Sequence, residues 1–452
     1  MEHENYIVAI DLGTSHLVGL AGMKTAEGTL TILAEEVEPS ASCIRRGCVY
    51  NVEDTALRIN RLIMKLENKL NGHLPSGFSI EKVYIGIGGQ SLRSYKHVEV
   101  KIINTDALVT KEDISQLDAQ CQAFKPDMLD VLAIFPPAYY ANGVSANSPS
   151  GVPTDSLSGV PTDSPSGIPC KSIEARYRLI VGKPAIRNNI KNSIERSRVK
   201  LAGIIVSPLA LADAIFSRDE KELGCALIDL GAGVTSVVVF KKKNLIHLSV
   251  IPFGGNVITR DLASLRFVES EAEQLKITYG SAVPEKDKTS IDAFEARNGI
   301  GLHEINTVVG ARAREIVENI YAQIKSTGEM DTLEKIVLAG GASALKNLQA
   351  LVRERFKKEV GFSTIRKEWM TDGNDDRIGN PCYMTAISLL IKGVENCIVI
   401  PSTQTNPGKD EIKKEKMMPL KPIKDEDTKG GSFFTGLFNK LEQLNKKILE
   451  QD

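Results

Sequence analysis

The sequence lacks the features that would assign it to several large protein classes. Its formal net charge is −1, so no overall basic field attracts nucleic acid, and we expect no nucleic-acid partner. No apolar run approaches the roughly 18 to 20 residues that a membrane-spanning helix needs. Residues 1–13 have no basic segment followed by an apolar stretch, so no secretory signal is predicted.

Cysteine pairs and histidine clusters are also absent. The seven cysteines are scattered without a CxxC pair, which is typical of reduced thiols in a cytosolic protein. The six histidines do not combine with cysteines or carboxylates at metal-ligand spacing, so we predict no structural zinc site. With 452 residues and 42% hydrophobic content, the chain can form two or more subdomains, each with its own core.

Strand and helix patterns alternate through most of the chain, which indicates an α/β fold. Apolar runs predict strands at 6–11, 83–89, 173–182, 225–240 (two strands around a Gly-rich turn), 244–255 and 335–341. Helices are predicted at 53–71, 109–124, 184–201, 256–279, 307–326, 342–356 and 381–393. The second of these helices has Thr110 as its N-cap, with Asp113 three residues later.

An internal repeat with an eight-residue period interrupts this pattern. Its three copies are PSGVPTDS (149–156), LSGVPTDS (157–164) and PSGIPCKS (165–172). Proline, glycine and serine recur in every copy, which predicts a surface loop rather than a long regular element. A short β-solenoid is the alternative, but three such copies would bury almost nothing.

Two stretches resemble each other: AIDLGTSHLVGLAG (9–22) and LIDLGAGVTSVVVF (227–240). Each predicts a strand, an Asp-Leu-Gly turn and a second strand. Glycine at the tip of such a hairpin lets backbone N–H groups approach phosphate oxygens, and an Asp at the strand end can hold hydrated Mg²⁺. One such turn is usually only a turn. Two of them, about 218 residues apart, indicate two related half-domains that face one triphosphate from opposite sides.

A third stretch, VLAGGASALKNLQAL (337–351), predicts a strand, a Gly-Gly turn and a helix whose N-terminus faces a ligand. Taken alone, it is also an ordinary strand–helix turn. The order of the three stretches resembles the actin, DnaK and sugar-kinase superfamily. The five superfamily motifs (phosphate 1, a connecting helix, phosphate 2, adenosine, a second connecting helix) would lie at 7–22, 207–216, 225–240, 336–348 and 381–392.

Within that superfamily, the chain resembles the bacterial cell-division family FtsA. The resemblance lies in VYIGIGGQSLRS (83–94), in 201–237, in 251–282 and in ARAREIVENI (311–320). It implies an actin-like (ribonuclease H-like) fold of two lobes, with subdomains 1A, 1C, 2A and 2B, followed by a disordered linker and an amphipathic helix.

The resemblance also implies boundaries for these parts. Subdomain 1A would comprise 1–82, 181–206 and a closing helix at 379–398. Subdomain 1C would comprise 83–180, with the repeat inserted at 149–172. Subdomain 2A would comprise 207–255 and 307–378, and subdomain 2B 256–306. The linker would be 399–431 and the terminal helix 432–452.

Roles for individual residues follow from the resemblance, with ATP and Mg²⁺ as the bound groups and no catalytic residue assigned. The phosphates would be held by Asp11, Gly13, Thr14 and Ser15 on one side and by Asp229, Gly231, Gly233 and Thr235 on the other, with Gly255 nearby. Asp11 and Asp229 would hold Mg²⁺ through water. The nucleoside would be contacted by Glu273, Lys276, Gly340, Gly341 and Ala342. Without the resemblance, Glu273 and Lys276 are a solvent-exposed helix pair.

Three residues depart from the family pattern. Val234 stands where related proteins usually carry Thr, and Ser236 where they carry an acid. His16 follows the first turn, where Lys or a small polar residue is commoner. ATP binding is expected, but hydrolysis should be weak at most, because fast phosphoryl transfer needs every positioning group.

The terminal stretch SFFTGLFNKLEQLNKKILEQD (432–452) follows charged, proline-containing sequence without periodicity, which predicts a disordered linker. On a helix its apolar side chains form one stripe: Phe433, Phe434, Leu437, Phe438, Leu441, Leu444, Ile448 and Leu449. The helix could dock on the chain's own core, form a short coiled coil or lie in a membrane interface. The clustered phenylalanines and the terminal position favour the membrane, and FtsA family members end in such a helix.

The resemblance thus implies a peripheral, ATP-binding cell-division protein at the cytoplasmic face of the cell inner membrane. It would polymerise, tether FtsZ at the septum and recruit later division proteins. A PilM-like pilus-assembly protein and a small-molecule kinase of the same superfamily are the alternatives. The first should lack the linker and terminal helix, and the second should turn over ATP only with its substrate. A DnaK-type chaperone is not expected, because no β-rich peptide-binding domain follows.

Overall fold

The computed structural model describes residues 5–103, 108–142, 160–162, 165–283 and 300–401. Their strands are β1 (Asn5–Leu12), β2 (His16–Lys24), β3 (Leu30–Pro39), β4 (Ile44–Arg45), β5 (Cys48–Val49), β6 (Ser79–Ile80), β7 (Lys82–Ile87), β8 (Arg93–Ile102), β9 (Asp130–Asn142), β10 (Val160–Thr162), β11 (Ser172–Gly182), β12 (Lys200–Val206), β13 (Cys225–Leu230), β14 (Thr235–Lys241), β15 (Asn244–Ile251), β16 (Lys335–Ala339), β17 (Glu359–Phe362) and β18 (Ile398–Val399). Their helices are α1 (Val52–Leu70), α2 (Lys111–Ala123), α3 (Pro184–Glu195), α4 (Ser207–Ile215), α5 (Arg218–Leu223), α6 (Gly255–Ala263), α7 (Glu269–Tyr279), α8 (Leu302–Lys325), α9 (Leu348–Phe356) and α10 (Met384–Lys392).

The first half of the fold is built on a five-stranded sheet in the order β12-β7-β1-β2-β3. β1 and β2 form an antiparallel hairpin, while β7 and β12 run parallel to β1. α1 packs on β2 and β3, and α10 packs on β1, β2 and β7. Because the strand residues are apolar on both faces, these contacts bury a continuous core. This packing fixes Asp11 near the carboxyl end of β1.

The second half repeats this plan in part of a nine-stranded sheet, whose order is β10-β9-β11-β8-β15-β14-β13-β16-β17. β13 and β14 form an antiparallel hairpin, and β16 runs parallel to β13 with Asp229 opposite Ala339. α6, α7, α8 and α9 contribute to a second core cluster with these strands. Parallel neighbours end at the same edge of a sheet, so Asp229 lies beside the turn that follows β16.

β8, β9, β10 and β11 form the other part of that sheet, with α2 on one face and a core cluster of their own. Thr110 caps α2 and forms the reciprocal pair of hydrogen bonds with Asp113, as predicted. One residue pair, Arg93 opposite Ser249, joins β8 to β15. The predicted subdomain boundaries remain predictions.

Three predicted helices are shorter or interrupted. The helix predicted at 184–201 ends at Glu195, because the β-branched run before Ser207 instead forms β12 beside β7. The helix predicted at 256–279 is two helices, α6 and α7, since the chain reverses around Arg266, whose φ is +71°. The helix predicted at 342–356 begins only at Leu348, because Asn347 is left-handed and a 3-10 turn occupies 341–344.

Ten of the described strands were not predicted: β3, β4, β5, β6, β8, β9, β10, β12, β17 and β18. In the repeat, the described residues are 160–162, which form β10 at the edge of the sheet, and 165–172. The other repeat residues, and the linker and terminal helix from residue 402 onward, lie outside the described residues. Val399 belongs to β18, which pairs with β6. Among the described residues, no helix combines the length and apolarity needed to cross a membrane.

Candidate functional site

The turn between β1 and β2 is held by Ser40, the residue that follows β3. Ser40 Oγ donates to the Gly13 carbonyl oxygen at 2.6 Å, and the Ser40 N–H donates to the Ser15 carbonyl oxygen at 3.0 Å. An ideal Cβ on Gly13 would lie 2.5 Å from the His16 carbonyl oxygen, so only glycine fits there. The carboxylate of Asp11 lies beside this turn.

The hairpin of β13 and β14 has a matching turn. The Gly231 N–H donates to the Val234 carbonyl oxygen at 2.9 Å, and the Gly231 carbonyl oxygen accepts from the Gly255 N–H at 3.0 Å. Thr235 is fully buried, and its hydroxyl donates to the Phe253 carbonyl oxygen at 2.8 Å. This side chain therefore fixes the hairpin to the following strand, and its predicted contact with phosphate stays a prediction.

The tips of the two hairpins touch. An ideal Cβ on Gly233 would lie 2.5 Å from Thr14 Oγ1 and 2.9 Å from Thr14 Cβ, so the Thr14 side chain occupies the space that glycine leaves. Thr14 Oγ1 also accepts from the Gly47 N–H at 3.0 Å. The structure thus brings the two predicted phosphate turns together, one from each half of the fold.

Gly255, at the start of α6, lies close to α7 and to the turn after β16. An ideal Cβ on Gly255 would lie 3.3 Å from Lys276 Nζ and 3.3 Å from Ala342 Cβ. Lys276 Nζ donates to Glu273 Oε2 at 2.7 Å, to Thr259 Oγ1 at 3.0 Å and to the Gly255 carbonyl oxygen at 3.3 Å. The predicted nucleoside residues on α7 and in the turn after β16 are therefore neighbours of the second hairpin.

The turn after β16 depends on a residue without a side chain. Gly340 has φ +80° and ψ 157°, a conformation that only glycine adopts readily. Its bare Cα faces Asp229, because an ideal Cβ would lie 2.5 Å from Asp229 Oδ1. Gly341 is exposed, and no atom lies within 4 Å of its own ideal Cβ. The first glycine closes the turn and the second leaves open space beside it.

Burial changes the protonation of the two aspartates. Desolvation, with a smaller contribution from the Asp229 charge, raises the pKa of Asp11 to about 7. Desolvation raises the pKa of Asp229 to about 6. Burial lowers the pKa of His16 to about 4 against the opposing effect of Glu273, so His16 is neutral at pH 7. At pH 7 Asp229 is therefore mostly ionised and Asp11 partly protonated, so a cation bound near these two partly buried carboxyls would favour their charged forms.

Two side chains of the site were not predicted from the sequence. Thr259 receives a hydrogen bond from Lys276 and donates one to Glu273, so it completes that network. Ser207, at the start of α4, has a buried hydroxyl that bonds to no described residue. An ideal Cβ on Gly86 would contact Ser207 Oγ and would lie 3.3 Å from Asp11 Oδ1. The Ser207 hydroxyl and the Asp11 carboxylate are therefore near the same point of β7. No sequence signal distinguishes either residue from an ordinary helix position.

These features fit a hydrated cation with a nucleotide. The glycine turns leave bare backbone at both hairpin tips, and Ser207 offers a buried hydroxyl without a partner. Asp11 and Asp229 supply the carboxylate oxygens that Mg²⁺ prefers. Within the described ranges, no group of three His, Cys, Asp or Glu side chains could hold a metal directly. A metal at this position would therefore be held largely through water.

The Lys276 network is directly testable. We expect Lys276→Met to weaken ATP binding by about tenfold or more, because Glu273 then keeps an unpaired charge beside Thr259 and Gly255 loses a contact. A fluorescent ATP analogue titrated into each protein measures the affinity. Lys191→Met, at an exposed position on α3, makes the same chemical change away from the site. Equal affinity in the two variants would contradict the assignment.

Comparison with known proteins agrees with this geometry. The family model described as cell division protein FtsA matches residues 226–388, which contain the second hairpin, α7 and the turn after β16. The FtsA protein of Porphyromonas gingivalis is 30% identical over 431 residues, covering 90% of this chain and 86% of that protein. The FtsA protein of Bacillus subtilis is 25% identical over 401 residues, covering 86% of this chain and 84% of that protein.

A likeness in three dimensions supports the fold. The structure titled PilM-PilN type IV pilus biogenesis complex aligns with a TM-score of 0.59 and 14% identity, covering 86% of this chain and 98% of that one. At this identity the likeness concerns the fold alone, and it confirms the predicted α/β, actin-like class. The match to the Porphyromonas protein spans nearly the whole length of both sequences. The chain belongs to the FtsA family of cell division proteins.

Proposed function

We propose that this FtsA-family chain binds ATP with Mg²⁺ between its two hairpins and links FtsZ to the cytoplasmic face of the membrane at the division site. The observation that carries the nucleotide part is the contact of Thr14 with Gly233, which sets two glycine-tipped, aspartate-bearing turns face to face. The membrane part rests on the apolar stripe of residues 432–452. The division role agrees with the family.

Each residue of the nucleotide site has a part in this proposal. Backbone N–H groups at Gly13 and Gly233 would face the phosphate oxygens once the Thr14 side chain moves away from Gly233. The negative charge of the ATP phosphates would hold the two hairpins around it, and Mg²⁺ would neutralise part of that charge. Asp11 would lose its proton and, with the already ionised Asp229, would orient the water around the metal. Lys276, held by Glu273 and Thr259, would lie beside the nucleoside.

Hydrolysis in this site should be slow. Val234 brings a methyl-bearing side chain to the second turn, and the Thr235 hydroxyl is engaged with the Phe253 carbonyl oxygen. Ser236 is buried in β14 and has no carboxylate. The second turn therefore lacks side chains that could orient an attacking water, and nucleotide binding would act as a conformational signal.

The terminal helix would attach the protein to lipid. A single helix with nearly balanced charge binds a bilayer weakly and reversibly. Self-assembly would place several tails on one surface and strengthen attachment by avidity. If the predicted linker of about 30 residues behaves as a flexible chain, its root-mean-square reach would be roughly 30 Å, which would separate the globular part from the lipid surface.

Partner contacts are proposed from the family. Subdomain 2B would contact FtsZ, and subdomain 1C would serve self-assembly or recruitment of later division proteins. The match to FtsA proteins covers most of the chain, whereas the likeness to PilM is one of fold. The division role is therefore favoured over a pilus-assembly or kinase role.

Co-sedimentation of FtsZ with liposomes tests the proposal. The intact chain and a chain truncated after Gly431 are each mixed with ATP, FtsZ and lipid. We expect the intact chain to carry FtsZ to the lipid and the truncated chain to leave it in solution, because the apolar stripe supplies the attachment. The truncated chain must still bind ATP, which shows that its folded part is intact.

A second variant separates attachment from folding of the tail. Phe434→Asp with Phe438→Asp keeps the full length but charges the apolar stripe, while Glu442→Gln with Lys446→Gln changes only predicted polar positions. The first pair should abolish lipid binding and the second pair should retain it. If the intact chain itself fails to bind lipid, the tether proposal is wrong, and turnover of ATP with candidate substrates becomes the test of a kinase role.

A further inference from the structure

A cavity of about 570 Å³ lies where β5, the start of β8, the first turn of α3 and the end of β15 meet. Its lining includes Cys48, Gln90, Arg93, Lys183, Asn189 and Ser249. It is separate from the space between the two hairpins, since none of the predicted nucleotide residues lines it. A ligand in this cavity would contact three parts of the fold at once.

The charged side chains that line the cavity in the described part of the chain are all positive. Arg93 and Lys183 contribute two cations, whereas none of the described Asp or Glu residues lines the cavity. In the described part of the chain, neither cation forms an ion pair with a carboxylate. Basic side chains near one cavity usually have acidic neighbours or a bound anion, because like charges held together repel each other. Both side chains are solvent-exposed, so water rather than a carboxylate screens the positive charge at the mouth of this cavity.

The N-terminus of α3 adds to that field. Lys183 is the N-cap residue but makes no side-chain cap, Pro184 is the first helical residue, and the first turn contains no acid. Ala185 and Ile186 of this turn line the cavity, so the positive end of the helix dipole faces it. Most helices satisfy this end with a Ser, Thr, Asp or Asn side chain, and α3 does not.

A buried hydroxyl in the lining also lacks a partner. Ser249 Oγ is buried and makes no hydrogen bond with any described residue. Ser249 is paired with Arg93 across the β8–β15 junction, so the hydroxyl and the guanidinium belong to the same part of the cavity. A buried polar group without a partner is rare, and a bound ligand or water usually satisfies it.

We propose that this cavity is a binding site for a small multivalent oxyanion, such as a phosphorylated metabolite. Arg93 and Lys183 would neutralise its charge, the Ala185 N–H in the first turn of α3 would donate to it, and Ser249 would donate its hydroxyl. The other N–H groups of that turn are absent at Pro184 or already bonded at Lys183 and Ile186. Arg93 is a bidentate donor to phosphate and carboxylate oxygens, while Lys183 acts as a point charge. The bound anion would hold β8, α3 and β15 together. The site does not depend on nucleotide binding at the hairpins.

Titration calorimetry of the full chain with inorganic pyrophosphate, without divalent metal, tests this site. The variant Arg93→Gln with Lys183→Gln removes both cations. The matched control Lys96→Gln with Lys191→Gln removes the same charge from equally exposed positions on the same β8 and α3 that do not line the cavity. We expect the first double variant to lose pyrophosphate affinity by at least about tenfold, and the control to bind like the wild type.

ATP affinity, measured in parallel, shows whether each variant is folded and keeps its hairpin site. Retained ATP binding with lost pyrophosphate binding supports the cavity as the anion site. Unchanged pyrophosphate binding in the Arg93 and Lys183 variant would overturn the proposal, because the anion would then bind elsewhere. An equal loss in both double variants would also overturn it, since net charge rather than this cavity would be responsible.

Discussion

Replacing Gly340 with alanine is expected to lower the free energy of unfolding by roughly 3 to 5 kcal/mol and to abolish measurable ATP binding. A Cβ at this position would collide with the Leu230 carbonyl oxygen and lie 2.5 Å from Asp229 Oδ1. The φ of +80° adds strain for any residue with a side chain. Neither obstacle is a flexible side-chain end, because one is backbone and the other belongs to a buried carboxylate.

The adjacent glycine provides a matched control for stability. Gly341→Ala introduces the same methyl group where no atom lies within 4 Å, so we expect the free energy of unfolding to change by less than about 1 kcal/mol. Urea unfolding followed by circular dichroism measures both variants, and the fluorescent ATP analogue measures binding. Similar destabilisation by the two substitutions would show that the turn relaxes, and the steric account of Gly340 would then be wrong.

Stability without nucleotide should fall as the pH rises from about 4 to about 7. The Asp11 pKa is about 7 in the folded protein, against 3.8 for an ordinary Asp, so the folded state holds a proton that the unfolded chain releases. Stability therefore decreases with pH between these values and is constant above them. The full shift corresponds to roughly 4 kcal/mol as an upper bound. Asp229 acts in the same direction, with a pKa of about 6.

Asp11→Asn tests this pH dependence, because it removes the ionisable group while keeping the shape. We expect the variant to be more stable than the wild type at pH 8 by roughly 2 to 4 kcal/mol and about equally stable at pH 4, as measured by urea unfolding. A wild type whose stability does not fall between pH 4 and 7 would contradict the prediction.

Asp113→Asn is the control of opposite sign. Hydrogen bonds from Lys101 and Thr110 lower the pKa of Asp113 to about 2, so this carboxylate stabilises the folded state above pH 4 and loses that effect as the pH falls through 2. Its asparagine variant should be less stable than the wild type at pH 8. The same chemical substitution thus gives opposite results at the end of β1 and at the cap of α2.

The sequence predicted the parts of the site that depend on local rules. Asp11 and Asp229 each follow an apolar strand and precede a glycine turn, a pattern that sets the backbone before any long-range contact forms. Thr110 was recognised for the same reason, since a cap and its partner lie within one turn of helix. The family resemblance then related the two distant hairpins to each other.

Other features depend on contacts that one segment cannot reveal. Thr259 and Ser207 are ordinary helix residues until Lys276 and Asp11 approach them in space. The reversal at Arg266 and the left-handed Asn347 interrupt segments whose residues suit a continuous helix. β12 forms after α3 because β7 has an unpaired edge to which it can hydrogen-bond. The residues of that edge lie more than a hundred positions earlier in the sequence.

The contact between Thr14 and Gly233 has a kinetic consequence. If a nucleotide binds between the hairpins as proposed, its phosphate chain would enter or leave when the Thr14 side chain moves off Gly233 and the Gly47 N–H gives up its acceptor. Association and dissociation would then share one opening step, which would slow both while other contacts set the equilibrium affinity. Such a protein would exchange its nucleotide slowly and would keep its bound state for longer than its affinity alone predicts.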